Sequence, residues 1–173
     1  ELLAGRLYQG TRAALPLPLG RNIRGEDAIL DLAKAPHLLV AGATGSGKSV
    51  CLNAILGALL TRFSPDELKL VLVDPKVVEF SAYGALPHLM LPVVTDAKTV
   101  VLALRWAIKE MDRRYRLLAK AGVRNIEGFN HRREAAEPLL DDLGQPLPAR
   151  LPYIVLVIDE LADIMMTARQ DVE

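Results

Sequence analysis

The 173-residue chain carries 51% hydrophobic side chains, 21 basic against 21 acidic residues, and one cysteine. That length and apolar content allow a sizeable core in one domain, while a formal charge of zero removes any global demand for a polyanionic partner. The lone Cys51 excludes an internal disulfide and a cysteine-based zinc site and suits a reducing cytoplasm; no apolar stretch nears the roughly 18 residues that span a bilayer, and the start lacks the basic-then-apolar order of a signal peptide.

Residues 1–36 read as a loop-rich lead-in segment joining a preceding subdomain, punctuated by Pro16, Pro18, Gly20 and Gly25, with no strong period. The apolar run His37-Leu38-Leu39-Val40-Ala41 predicts a buried strand. It leads straight into Gly42–Ser49, GATGSGKS, a complete G-x-x-x-x-G-K-S phosphate-binding loop. Gly42, Gly45 and Gly47 let the backbone curl so that successive N–H groups of Gly42, Ala43, Thr44, Gly45, Ser46, Gly47, Lys48, Ser49 and Val50 can surround phosphates. Lys48 reaches the β- and γ-phosphates, and the Ser49 hydroxyl is a ligand for Mg2+. A glycine-rich turn before an ordinary helix is the plainer alternative, and the agreement of strand, loop and helix signals argues against it. Cys51, early in the helix, reads as a small buried hydrophobe rather than a reactive thiol.

Val50 to Arg62 suits a buried helix closed by Ser64-Pro65, and Leu70-Val71-Leu72-Val73 a buried parallel strand ending in Asp74-Pro75. Val93-Val94, after Pro92, predicts a short third strand. Thr95 or Asp96 caps a long helix that runs to about Ala121 and stops at Gly122. Val100, Leu104, Ala107, Ile108, Met111, Tyr115 and Leu118 form its apolar stripe, expected to be core, while Arg105, Lys109, Arg113, Arg116 and Lys120 occupy other faces. From Arg105 to Arg133 there are nine bases against three acids, a cluster able to meet DNA phosphates but better read as a solvated or subunit-contacting face.

Residues 137–152, rich in proline, predict an exposed loop before the apolar strand Tyr153–Ile158, which runs directly into Asp159-Glu160. Two acids at the end of a buried strand are what a P-loop ATPase needs beside its phosphate loop: Asp159 holds Mg2+ and Glu160 polarises the attacking water as general base. Asp74 also ends a strand and competes for the metal role, but Pro75 stands where Glu160 would supply a base. With Lys76 it has either a nucleotide-sensing or a salt-bridging role. His37, His88 and His131 lack metal-like spacing, and Trp106 alone makes no stacking platform for bases.

Six blocks in order, LVAGATGSGKSV, VLVDPKVVEF, PHLMLPVVTD, EMDRRY, GVRNI and PYIVLVIDELADIMM, together resemble the motor domain of the FtsK/SpoIIIE family of double-stranded DNA translocases, over roughly residues 30–173. The resemblance implies an α/β, RecA-like P-loop NTPase with a parallel sheet flanked by helices, incomplete at its C-terminal side, in which residues 37–173 form the N-terminal part of the motor. It also implies an ATP hydrolase that assembles as a hexameric ring on duplex DNA and acts in chromosome segregation and cell division. Carried over, Gly42–Ser49 match the ATP site, with Lys48 catalytic, and Asp159 and Glu160 match the magnesium and catalytic acids. The motor is expected to lie in the cytoplasm, in a parent protein anchored at the inner membrane at the septum. The family pattern continues past this chain, which is therefore expected to be a fragment. Two alternatives stand beside this reading: a ring ATPase of conjugation or protein secretion, and a nucleotide-gated scaffold with negligible turnover.

Overall fold

The computed structural model describes residues 2–35, 37–43, 45–132 and 139–167. The chain divides into two compact units, residues 1–64 and residues 65–173, each built around its own elements.

The first unit holds α1 (Arg6–Gly10), β1 (Pro16–Arg21), β2 (Asp27–Asp31) and α2 (Lys48–Arg62). The lead-in segment is thus more ordered than its prolines suggest. β1 and β2 pair as an antiparallel hairpin from Pro16↔Asp31 to Arg21↔Asp27, with a bulge between Pro18 and Gly20. Pro16 and Pro18 fit because β1 has a single partner strand, so neither missing N–H breaks a second ladder. Asn22 shapes the turn by accepting from the amides of Arg24 at 2.9 Å and Glu26 at 3.0 Å. α2 packs on β1, burying Leu17, Leu52, Ile55, Leu56 and Leu59. Tyr8 donates its hydroxyl to the Ala58 carbonyl at 3.0 Å, and the Arg62 guanidinium lies 5.4 Å from the centre of the Tyr8 ring.

One expectation fails in this unit. His37–Ala41 is not a strand: it has no regular structure, and Leu39 is 79% exposed. A strand exists only through its ladder, and among the described residues the two sheets are β1-β2 and the pair Leu68–Val73 with Tyr153–Ile158, neither of which includes this run. Apolar content alone could not supply the missing partner.

The second unit holds β3 (Leu68–Val73), α3 (Ala97–Lys120), α4 (Ile126–Asn130), β4 (Tyr153–Ile158) and α5 (Leu161–Thr167). β3 and β4 are parallel, in unbroken register from Leu68↔Tyr153 to Val73↔Ile158. Parallel neighbours need a long crossover, and α3 provides it. On the other edge of β3 the expected third strand shrinks to two isolated bridges, Leu70↔Leu89 and Val73↔Val94. The cause is Pro92. After Met90 donates to the Leu70 carbonyl, regular spacing would have position 92 donate to Leu72, and proline has no N–H; Val94 makes that bond instead, at 2.9 Å.

α3 begins and ends as its sequence dictates. Asp96 accepts from the Thr99 amide at 3.0 Å, and the Thr99 hydroxyl, together with that amide, holds its carboxyl below the ordinary value. At the other end Gly122 takes φ 67°, with Val123 N–H donating to Leu118 and Gly122 N–H to Ala119, a paired C-terminal cap.

The apolar stripe of α3 is core only at its ends. Val100 and Ala103 join Val71, Val73, Val94 and Ile164 in one cluster, and Leu117 joins Phe129 and Leu151 in another. Ile108, Met111 and Tyr115 are 57%, 48% and 62% exposed. A helix of 24 residues is about 36 Å long whereas a six-residue strand spans about 20 Å, so the middle of α3 bridges two small cores without lying on either. Trp106 is half-buried against the first cluster.

Candidate functional site

The phosphate loop has the backbone that its residue types demand. Gly45 and Gly47 adopt φ 81° and 95°, which a side chain would strain, and a Cβ on Gly42 would collide with the Ser46 hydroxyl. The Ser46 amide donates to the Ala43 carbonyl at 2.9 Å, closing a turn. Gly42, Ala43, Gly45, Ser46, Gly47 and Val50 are exposed, and Lys48 and Ser49 are half-buried at the first turn of α2; Thr44 lies outside the described residues. α2 begins with Gly47 in the left-handed region, a residue with no side chain to cap the helix. The N-terminus of a 15-residue helix, under an open glycine turn, fits a phosphate. Cys51 is half-buried rather than fully buried.

The acidic pair sits where the sheet ends. The Asp159 amide donates to the Val73 carbonyl at 3.0 Å, one step past the last register pair, so Asp159 stands level with Asp74 at the carboxyl ends of two adjacent parallel strands. Open α/β sheets gather ligands at that edge. Asp159 and Glu160 are both half-buried, and Glu160 accepts from the Ala162 amide at 3.4 Å as α5 begins.

Asp74 has a different task from Asp159. It is fully buried, and its Oδ2 accepts from the amides of Glu79 and Phe80, each at 2.9 Å. The Val77 amide donates to the Asp74 carbonyl at 3.2 Å, and Val77 takes φ 55°, a conformation that β-branched residues avoid. Asp74 therefore folds the loop after β3, a role that spacing alone does not disclose because its partners are backbone amides. Lys76 extends from that loop to Asp163 on α5, Nζ to Oδ2 3.1 Å.

Among the described residues no three His, Cys, Asp or Glu groups converge to hold a metal unaided. Mg2+ typically keeps waters and takes only one or two protein oxygens besides phosphate, so a serine hydroxyl and one carboxylate are a suitable donor set.

Four bases of α3 pair with two carboxylates of the same unit. Glu110 pairs with Arg114 at 2.8 Å and Arg113 at 3.3 Å, while Asp142 pairs with Lys120 at 2.7 Å and Arg116 at 3.3 Å. The hydrogen bond and charge of Lys120, with the charge of Arg116, hold the Asp142 carboxyl below its ordinary value. His37 and His131 are exposed and His88 is buried, so the three histidines do not share one environment. No described helix is long and apolar enough to cross a membrane.

The FtsK/SpoIIIE family model matches residues 1–173. Among curated proteins, the chain is 45% identical to the DNA translocase FtsK of Mesorhizobium japonicum, 48% to that of Pseudomonas syringae pv. syringae and 49% to DNA translocase FtsK 1 of Neisseria meningitidis. Each match takes in all of this chain and 22%, 23% and 22% of the relative, so the chain spans under a quarter of their length. Among solved structures it is similar to the conjugation coupling protein TcpA of pCW3, in monomer form with ATPgS, at 30% identity and TM-score 0.69 over 91% of this chain and 39% of that one. It is also similar to the cytoplasmic domain of the type VII secretion ATPase EccC of Thermomonospora curvata, at 30% identity and TM-score 0.58 over 92% of this chain and 19% of that one. With a parallel sheet, flanking helices and an intact phosphate loop, the fold is that of an α/β P-loop ATPase, and the chain belongs to the FtsK/SpoIIIE family.

Proposed function

We propose that this chain is the N-terminal part, residues 37–173, of a RecA-like motor that hydrolyses ATP to pump double-stranded DNA, with residues 1–36 joining it to a preceding subdomain. The motor works as a hexameric ring in chromosome segregation and cell division, on the cytoplasmic side of an inner membrane to which the parent protein is anchored at the septum. Gly42–Ser49 and the Val50 amide cradle the triphosphate, Lys48 neutralises charge on the β- and γ-phosphates, and Ser49 and Asp159 are the oxygen ligands of Mg2+. When bound, that ion withdraws charge from the phosphates. Glu160 accepts the proton of the attacking water. Movement of the ring follows from loss of the γ-phosphate, which biases an element with two stable arrangements.

The observation that carries this reading is family membership over the whole chain with both nucleotide motifs intact. Identity of 45–49% to relatives named DNA translocase, against 30% to the conjugation and secretion ATPases, supports duplex DNA as the cargo. The test is ATP turnover by the full-length protein with and without duplex DNA. Stimulation by duplex is expected; stimulation by a protein substrate instead would move the cargo, and turnover at background would leave a scaffold. Glu160→Gln should keep ATP binding and lower hydrolysis at least about a hundredfold, and near-normal turnover in that variant would remove Glu160 from the base role. Lys48→Ala should lose ATP binding under every one of these readings.

A further inference from the structure

The loop after β3 is built to a fixed shape. Buried Asp74 ties down the amides of Glu79 and Phe80, and Val77 is held at φ 55°, so Lys76, between them, projects from a backbone with little freedom. Its ammonium lies 3.1 Å from Asp163 Oδ2. Asp163 is in the first turn of α5, three residues after Glu160, and its neighbour Ile164 is 2% exposed within the cluster that includes Val71, Val73 and Val94. α5 is thus gripped by apolar packing through Ile164 and by an ion pair through Asp163, and Glu160 stands at the point where the helix leaves the sheet.

We propose that Lys76 is a positioning residue for the hydrolytic carboxylate: by holding Asp163 it fixes the first turn of α5 and with it the placement of Glu160. The inference rests on the assignment of Glu160 as general base. The Lys76 and Asp163 side chains are 55% and 34% exposed although Asp163 Oδ2 itself is buried, and an ion pair whose lysine is this open to water contributes little to global stability. Its effect is therefore local, on where a nearby catalytic group stands, and catalysis is sensitive to small misplacements.

The experiment compares Lys76→Ala, Lys76→Arg and the exchanged pair Lys76→Asp/Asp163→Lys in the full-length protein. Lys76→Ala should lower kcat about two- to fivefold, the span that one partly exposed ion pair can carry, with KM for ATP and the melting temperature nearly unchanged. Lys76→Arg should retain most of kcat and the exchanged pair should recover part of it. An unchanged kcat in Lys76→Ala, or a loss of kcat accompanied by a raised KM for ATP and a clearly lowered melting temperature, would overturn the positioning role. Amide hydrogen exchange across Leu161–Thr167 gives a second readout that needs no turnover: faster exchange in Lys76→Ala, restored in Lys76→Arg, is expected, and identical exchange in all variants sinks the inference. Absent turnover in the wild type would count against the motor alone and leave this second readout to decide the role of Lys76.

Discussion

Asp31 and Asp74 each fold a stretch of backbone through one carboxylate, and neither role can be read from spacing. The Asp31 carboxylate accepts from the amides of Leu15 at 3.0 Å, Ala14 at 3.2 Å and Ala33 at 3.2 Å, closing the base of the hairpin. Burial pushes the Asp31 carboxyl up, but these bonds and the charge of Lys34 outweigh it and hold the group below its ordinary 3.8. A carboxyl depressed in the folded state contributes stability that is fully present above its unfolded value and is lost as pH falls through the folded value. Acid unfolding of the wild type should therefore show an extra loss below about pH 3.8 that Asp31→Asn lacks. At neutral pH the variant should be less stable by about 1–3 kcal/mol. A stability difference that stays constant from neutral to strongly acidic pH would remove Asp31 as the cause. By contrast, Gly45, Gly47 and Asp96 were legible in advance, because a left-handed turn and a helix N-cap are local demands that one residue type meets.

At the level of elements, the sequence disclosed β3, β4, α2 and α3 nearly to the residue, since each has a sustained apolar period and a local stop signal such as Gly122. It misjudged elements whose state depends on a neighbour. The hairpin β1-β2 hid behind its prolines, the run from His37 to Ala41 lacks a ladder, and mid-α3 passes between two cores. The approach to β4 is the exposed, proline-rich loop expected, and side chains from α3, α4 and the residues after it pin its end. Arg114 donates to the Pro152 carbonyl at 2.7 Å, and Arg132, stacked 3.8 Å from the centre of the Phe129 ring, donates to the carbonyls of Pro148 and Ala149. Asn130 bonds Leu151 twice, donating to its carbonyl at 2.9 Å and accepting from its amide at 2.8 Å. Leu151 is 5% exposed, so Asn130→Ala strands a buried amide and carbonyl and should cost about 1–3 kcal/mol in urea unfolding. Arg132→Ala should cost a similar amount, and Arg132→Lys should not restore it, because an ammonium lacks the flat fork that stacks on Phe129 while reaching two carbonyls. Full recovery in the lysine variant would show that charge alone matters there.

For the whole molecule, the residues of the proposed chemistry fall in two units: the phosphate loop belongs to residues 1–64 and the acid pair to residues 65–173. Each motif was recognisable in the sequence because its demands are local. That Ser49 and Asp159 serve one Mg2+ is a demand on two distant stretches of chain, and it comes from the chemistry of P-loop ATPases rather than from any local pattern. A double-mutant cycle tests it directly in the full-length protein. With Mg2+ present, Ser49→Ala and Asp159→Asn should each weaken ATP binding, and with a chelator in place of Mg2+ both effects should largely vanish. If both groups serve the same ion, removing the second after the first should matter much less than removing it from the wild type, giving a coupling of about 1–3 kcal/mol. Groups that act on separate ions, or on none, should give losses that simply add. Additive losses that persist in chelator would detach the acid pair from the nucleotide and leave the phosphate loop as the sole part of the proposed catalytic machinery that binds it.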